Sequence, residues 1–312
     1  MKNTGNVKLT MIIAVICITL VVSPVTGLHA NELIKKENKT ENQTTTYGQE
    51  GTGTEYWALI FAVGIYKNNP SKDRPEMIEA ANDLKDVLLD SPQWQEDHIH
   101  KVTGVEATGR RLIKELIWLI RNEDADDMSL IYLTTHGSPL IGPRGYPVDI
   151  PPRDENDGAD EILMMYEGFD KWYAFIWDDL LNFFLSLLQS KGVCLIVDSC
   201  YSGGYNDGPM FKGVMPNQYT AESFTQGFME ELGTQSRVVL MSCRENEVSY
   251  GNDFSGLLIG GFVGLADLFG NGDGINSAEE SFYFAEFWLE LVGQQHPTIL
   301  DLYDGEFPVT YN

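Results

Sequence analysis

From Trp57 onward, short apolar runs alternate with segments in which apolar residues recur every three to four positions. The runs have the length and β-rich composition of buried strands, and the spaced segments have the period of helices packed on one face. Trp57–Ile65 predicts the first strand, followed by a helix over Met77–Leu89 and a short strand over His98–Val102. An amphipathic helix over Arg110–Ile120 leads into the apolar run Ser129–Leu133. Beyond it lies a long excursion, Ser138–Trp172, with Pro, Gly and a cluster of acids. A helix over Asp178–Gln189 precedes the run Val193–Val197. Residues 205–220 read as a loop, Ala221–Leu232 as a helix, Val238–Ser242 as a strand and Leu257–Leu268 as a helix. The final helix spans Ala278–Val292, with Ser277 and Glu280 spaced as a capping box. Strands separated by helices predict an α/β fold with a mostly parallel sheet covered on both faces.

The first thirty residues follow a different pattern. Lys2 and Lys8 precede an apolar stretch of 14 residues, Leu9–Val22, and small residues lie near Gly27 and Ala30. That stretch is short for a bilayer span, which needs about 20 residues, and residues 1–30 read as a secretory signal. Residues 31–54 are polar, lack apolar periodicity and read as a linker. The linker holds two N-glycosylation patterns, Asn38-Lys-Thr and Asn42-Gln-Thr. The expectation is a secreted or cell-surface protein, touching a membrane only if residues 1–30 are retained, with one catalytic domain over residues 55–312.

Charge narrows the function. With 21 Lys and Arg against 46 Asp and Glu, the net charge is −25, which excludes a nucleic-acid-binding role needing a cationic face. Such a field favours bound cations or cationic substrates. Of four cysteines, Cys17 belongs to the signal, leaving Cys194, Cys200 and Cys243. An odd count in an exported chain points to a free thiol rather than a disulfide framework. Cys194 and Cys243 read as packing residues at strand positions.

Two strand ends carry the chemistry. One run stops at Thr135-His136-Gly137 and another at Asp198-Ser199-Cys200, followed by Tyr201-Ser202-Gly203-Gly204. In open α/β sheets, ligands bind outside the carboxyl ends of the strands. An imidazole and a thiol at two such ends form a candidate base–nucleophile pair.

These motifs resemble the caspase-like cysteine peptidases, especially metacaspases and their prokaryotic relatives, and more distantly legumain-type peptidases. Further segments carry the resemblance: Glu79-Ala-Ala-Asn-Asp83, the acidic stretch Asp154–Glu161, Ile176-Trp-Asp-Asp179 and Met241–Ser249. Tyr201 and Ala80 depart from the metacaspase pattern, which usually has His and Cys there. The resemblance implies a three-layer α/β/α sandwich and an endopeptidase, which the N-terminal signal would export. Cys200 is its nucleophile, His136 its acid/base, and the backbone amides of Gly137 and Cys200 are its oxyanion donors. It implies a pocket for Arg or Lys formed by Asp83, Asp198 and Glu245, and protein or peptide substrates. It further implies a calcium site from Asp178, Asp179, Asp207 and Glu167. The alternatives are a legumain-like transpeptidase on the same acyl-enzyme and a catalytically silent surface binding protein. A second acidic loop, around Asn271 and Asp273, fails the full EF-hand pattern and reads as a capped turn.

Overall fold

The computed structural model describes residues 53–142, 146–155, 158–171, 173–199, 221–234, 236–242, 253–292 and 296–312. The first apolar run forms β1 (Tyr56–Ala62). It is followed by α1 (Glu76–Asp90), β2 (Trp94–Thr103), α2 (Gly109–Asn122) and β3 (Met128–Thr134). The excursion then folds into three short strands, β4 (Gly137–Pro139), β5 (Glu161–Met164) and β6 (Phe175–Trp177), running directly into α3 (Asp178–Leu185). Next come β7 (Gly192–Asp198), α4 (Ala221–Leu232), β8 (Arg237–Met241) and α5 (Asp253–Gly260). The chain closes with α6 (Ala266–Phe269), β9 (Ile275–Ser277), α7 (Ala278–Val292), β10 (Thr298–Asp301) and β11 (Pro308–Tyr311).

The main sheet has the order β10-β8-β7-β3-β1-β2. Every neighbouring pair is parallel except β10 on β8, which is antiparallel. Strand alternation divides the core into two layers. On one face Leu59, Phe61, Ile131, Leu133, Leu195 and Val197 pack with α2, α3 and α4. On the other, Ala58, Ile60, Leu130, Tyr132, Cys194 and Ile196 meet α1, α5 and α7. The result is the expected three-layer α/β/α sandwich. Helix α2 shows how local sequence serves this packing. Thr108 caps its first turn by accepting from Arg111 N at 3.3 Å, and Leu112, Leu116 and Leu119 align on the buried face. Leu59 is fully buried, so Leu59→Ala would cost about 2–5 kcal/mol through lost transfer energy and a cavity.

Three expectations need correction. The helix expected over Leu257–Leu268 is broken. A wide-turn segment, Gly261–Leu265, separates α5 from α6, and Gly264 sits at φ 114°, a conformation open to glycine but not to other residues. The Ser277–Glu280 capping box is half formed. Ser277 Oγ accepts from Glu280 N at 3.1 Å, but the Glu280 carboxylate turns away to accept from Asn271 N at 2.9 Å. The excursion and the C-terminal stretch contain strands that the apolar pattern did not predict. In the Asn271 loop, Asn271 Oδ1 accepts from Asp273 N and Asp273 Oδ1 from Ile275 N, the geometry of a capped turn.

Candidate active site

The register of β3 and β7 brings the two candidate strand ends level. The strands pair residue for residue up to Thr134 opposite Asp198, and Thr135 N donates to Asp198 O at 3.3 Å. His136 lies two residues beyond Thr134, so it leaves the sheet just past the level at which β3 and β7 end together. Cys200 itself lies outside the described residues, as do Glu245 and Asp207.

His136 is held from every side. The chain leaving β1 turns at Gly64, where φ is 63° and the carbonyl accepts from Arg74 N at 2.6 Å. This turn carries Tyr66 and Lys72 over the imidazole. His136 Nε2 lies 2.9 Å from the Lys72 carbonyl. A carbonyl only accepts, so Nε2 bears the proton and Nδ1 presents the lone pair. The Tyr66 ring stacks on the imidazole with centroids 5.0 Å apart, and Phe169 meets its edge at 5.7 Å. The backbone is fixed by a directional chain of hydrogen bonds. His136 N donates to Tyr66 Oη at 3.0 Å, and Tyr66 Oη lies 2.9 Å from Thr135 Oγ1, which donates to the Met164 carbonyl. Met164 N donates back to His136 O at 2.8 Å, tying the His loop to β5. Burial drives the imidazole pKa down to about 4, with smaller contributions from the positive charges of Arg74 and Lys72. His136 is therefore a neutral base at pH 7.

Gly137 opens β4 where no side chain fits. A Cβ there would come within 2.5 Å of Ser199 Oγ and 2.6 Å of Phe224 Cζ. The start of β4, the residue after β7 and Phe224 of α4 thus approach closely beside the candidate oxyanion amide. Asp198 is fully enclosed and accepts from Ser255 Oγ, which also bonds Tyr132 Oη at 2.7 Å. Burial raises the Asp198 pKa. Asp83 occupies the exposed face of α1, about 10 Å along the axis from the start of the helix. The charges recorded beside His136 are Lys72 and Arg74 instead. Cys194 is fully buried with its thiol pKa pushed up, as a packing residue should be.

The acidic candidates divide. Ile162 pairs antiparallel with Trp177, so the β5–β6 hairpin lays Asp160 and Glu161 against Asp178 and Asp179 at the head of α3. Asp160, Asp178 and Asp179 offer oxygens within 4.8 Å of one another, as do Glu155, Glu161 and Asp178, and Asp154, Asp179 and Glu231. Asp178 is spoken for locally, accepting from Asp179 N at 3.0 Å and Glu161 N at 3.3 Å. Asp160 Oδ1 and Asp179 Oδ2 are buried without a hydrogen-bond partner. Burial and the neighbouring carboxylates raise the Asp160 pKa to about 8 and the Asp179 pKa to about 7. Such a set of hard oxygen donors fits a calcium ion. Glycine makes room for the carboxylates: a Cβ at Gly227 of α4 would strike that of Glu161 at 2.5 Å. Glu167 is a correction. It does not join this cluster but is clamped between Lys67 at 2.7 Å and Lys171 at 2.6 Å.

Sequence reasoning missed Tyr66, Phe169 and the Lys72 carbonyl around His136. It singled out the stretch Asp154–Glu161 without assigning Asp160 or Glu161 as ligands, and it missed Glu231. An aromatic residue in a loop after β1 and a backbone carbonyl leave no signature in a sequence.

No curated protein matches the chain. Among solved structures, the crystal structure of a Geobacter sulfurreducens protein superposes with a TM-score of 0.52, covering 82% of this chain and 99% of that one. At 16% identity the likeness speaks for the fold alone. The caspase domain family matches residues 55–299, taking in both strand ends and the acidic hairpin. By that match and by its three-layer sandwich, the chain belongs to the caspase-domain family of cysteine peptidases.

Proposed function

We propose that this chain is an exported cysteine endopeptidase in which Cys200 is the nucleophile and His136 the acid/base. The observation that carries the reading is the tautomer of His136: Nε2–H is committed to the Lys72 carbonyl, leaving Nδ1 to take a proton. The thiol proton passes to Nδ1 as Sγ attacks the peptide carbonyl carbon. The backbone amides of Gly137 and Cys200 meet the developing oxyanion. Collapse of the tetrahedral intermediate breaks the C–N bond, and the imidazolium returns its proton to the leaving amine. Water then hydrolyses the thioester. Burial opposes an isolated imidazolium, so His136 takes the proton only as the thiolate charge forms to offset it.

Cleavage after Arg or Lys is the proposed preference, with Asp83 and Glu245 supplying the negative charge and the acidic chain attracting basic substrates; Asp198, enclosed and bonded to Ser255, is left out of that pocket. A second reading, preference for an acidic residue, is favoured by Lys72 and Arg74 beside His136. Calcium is the proposed ion, held by Asp160, Asp178, Asp179 and the surrounding Glu155, Glu161, Asp154 and Glu231. When bound, it neutralises the clustered carboxylates and holds the hairpin that supports the His loop.

Peptide-library profiling of the purified chain tests the proposal. Cys200→Ala and His136→Ala should each lose activity by about a thousandfold or more. Asp83→Ala should abolish a basic preference and Arg74→Ala an acidic one. Activity surviving in Cys200→Ala would refute the mechanism. Absence of any His136-dependent alkylation of Cys200 would indicate a silent binding domain.

A further inference from the structure

Helix α7 is apolar on two sides. Phe282, Ala285 and Leu289 point into the core beneath the sheet. At about 100° per residue, Tyr283, Phe284, Phe287, Trp288 and Leu291 fall in a second arc of about 140° facing away from it. Phe269 of α6 extends this arc, its ring stacked 6.1 Å from Phe284, which in turn meets Trp288 at 6.3 Å. Phe269, Tyr283, Phe287, Trp288 and Leu291 are 39% to 72% exposed. With aromatic side chains presenting about 150–250 Å² each, this amounts to an apolar face on the order of 700 Å². That is larger than the biggest patch on a typical monomer, about 300–600 Å², and close to one side of a standard interface, about 800 Å². Among the described residues, no element packs on it.

The charge around the face selects its occupant. The chain carries a net charge of −25, and the charged side chains of α6 and α7 are all acidic. Glu286 and Glu290 run along one edge of the aromatic arc. A second copy of the chain would set two such anionic surfaces against each other, and an anionic lipid surface would be repelled in the same way. A helix with an apolar stripe flanked by Lys or Arg fits both features. Its apolar residues would cover the aromatic rings, and its cations would be drawn to the acidic edge and lie over the faces of Phe287 and Trp288.

We propose that the outer face of α7, with Phe269 of α6, is a docking surface for a cationic amphipathic helix of a partner protein. The test uses the full chain carrying Cys200→Ala, so that the probe is not cleaved whatever the peptidase specificity. The probe is a fluorescently labelled Leu/Lys peptide with helical spacing, and the control is its Leu/Glu counterpart, both read by fluorescence anisotropy. The expected result is saturable binding of the Leu/Lys peptide that weakens with salt. It should fall more than about tenfold in the Phe287→Ser/Trp288→Ser variant. The Glu286→Gln/Glu290→Gln variant, which leaves the apolar face intact, should lose severalfold in affinity and much of the salt dependence. Four outcomes would overturn the proposal: no binding of the Leu/Lys peptide, equal binding of the Leu/Glu peptide, binding indifferent to both variants, or occupation by something else. The last is read as a concentration-dependent dimer in sedimentation, or binding to phosphatidylcholine vesicles, that Phe287→Ser/Trp288→Ser removes.

Discussion

Raising the pH should destabilise the calcium-free protein through Asp160, and calcium should reverse the effect. The Asp160 carboxyl is fully buried, and its pKa rises from 3.8 to about 8. A carboxylate whose folded-state pKa is raised contributes its full stability below the unfolded value of 3.8; stability is lost as pH climbs from there to the folded value and is flat above it. A shift of this size is on the order of 5 kcal/mol once the group is ionised. In a domain of this length that corresponds to a fall in Tm of roughly 10 °C or more. His136 acts in the opposite direction. Its pKa is lowered from 6.5 to about 4, so it removes stability as pH falls through that interval. The Asp160 effect is therefore cleanest between about pH 6.5 and 8, above the interval in which His136 titrates. Glu279, buried with its pKa raised to about 7, adds a loss of the same sign. Comparison with Asp160→Asn separates the two. Thermal melts across pH, with EDTA or with calcium, are the assay. Without calcium, Asp160→Asn should melt higher than the parent at alkaline pH and match it near pH 4. Calcium at a hundred times its dissociation constant should restore about 2.7 kcal/mol to the parent, and much less to the variant. A parent Tm that is flat or rising between about pH 6.5 and 8, with no gain in Asp160→Asn at alkaline pH, would refute the reasoning.

Three further outcomes are expected. Tyr66→Phe removes the hydroxyl that accepts from His136 N and bonds Thr135, costing about 1–2 kcal/mol of stability. It should also lower kcat more than it changes KM, as steady-state kinetics and denaturant unfolding will show. Gly137→Ala should cost about 1–3 kcal/mol by overpacking against Ser199 and Phe224, and should disturb the His loop enough to reduce turnover, read by unfolding and activity together. Gly227→Ala, which crowds the Glu161 carboxylate, should weaken calcium binding measured by calorimetry while leaving thiol alkylation at Cys200 in the calcium-free protein unchanged.

The order of the large elements was legible because burial writes it into the chain. β1, β3 and β7 are enclosed on both faces, so they appear as unbroken apolar runs, and α2 shows a single apolar stripe. Strands β4, β5, β6 and β9 have only three or four residues each, too few for a period to emerge, and pairing partners decide them. The same division runs through the site. His136 and Cys200 stood out because reactive side chains end two buried strands, a feature local in sequence. The Tyr66 stack, the Lys72 carbonyl that sets the imidazole tautomer, and the meeting of Asp160 with Asp178 join residues 18 to 70 positions apart. Asp83 and Glu167 looked equally suitable as isolated acids. Folding left Asp83 on the open face of α1 and gave Glu167 to two lysines. By itself the sequence determined which strands are buried and which side chains end them. The tertiary structure decided which charges share a space, because Coulomb energy and desolvation depend on distance and burial, and no linear spacing encodes either.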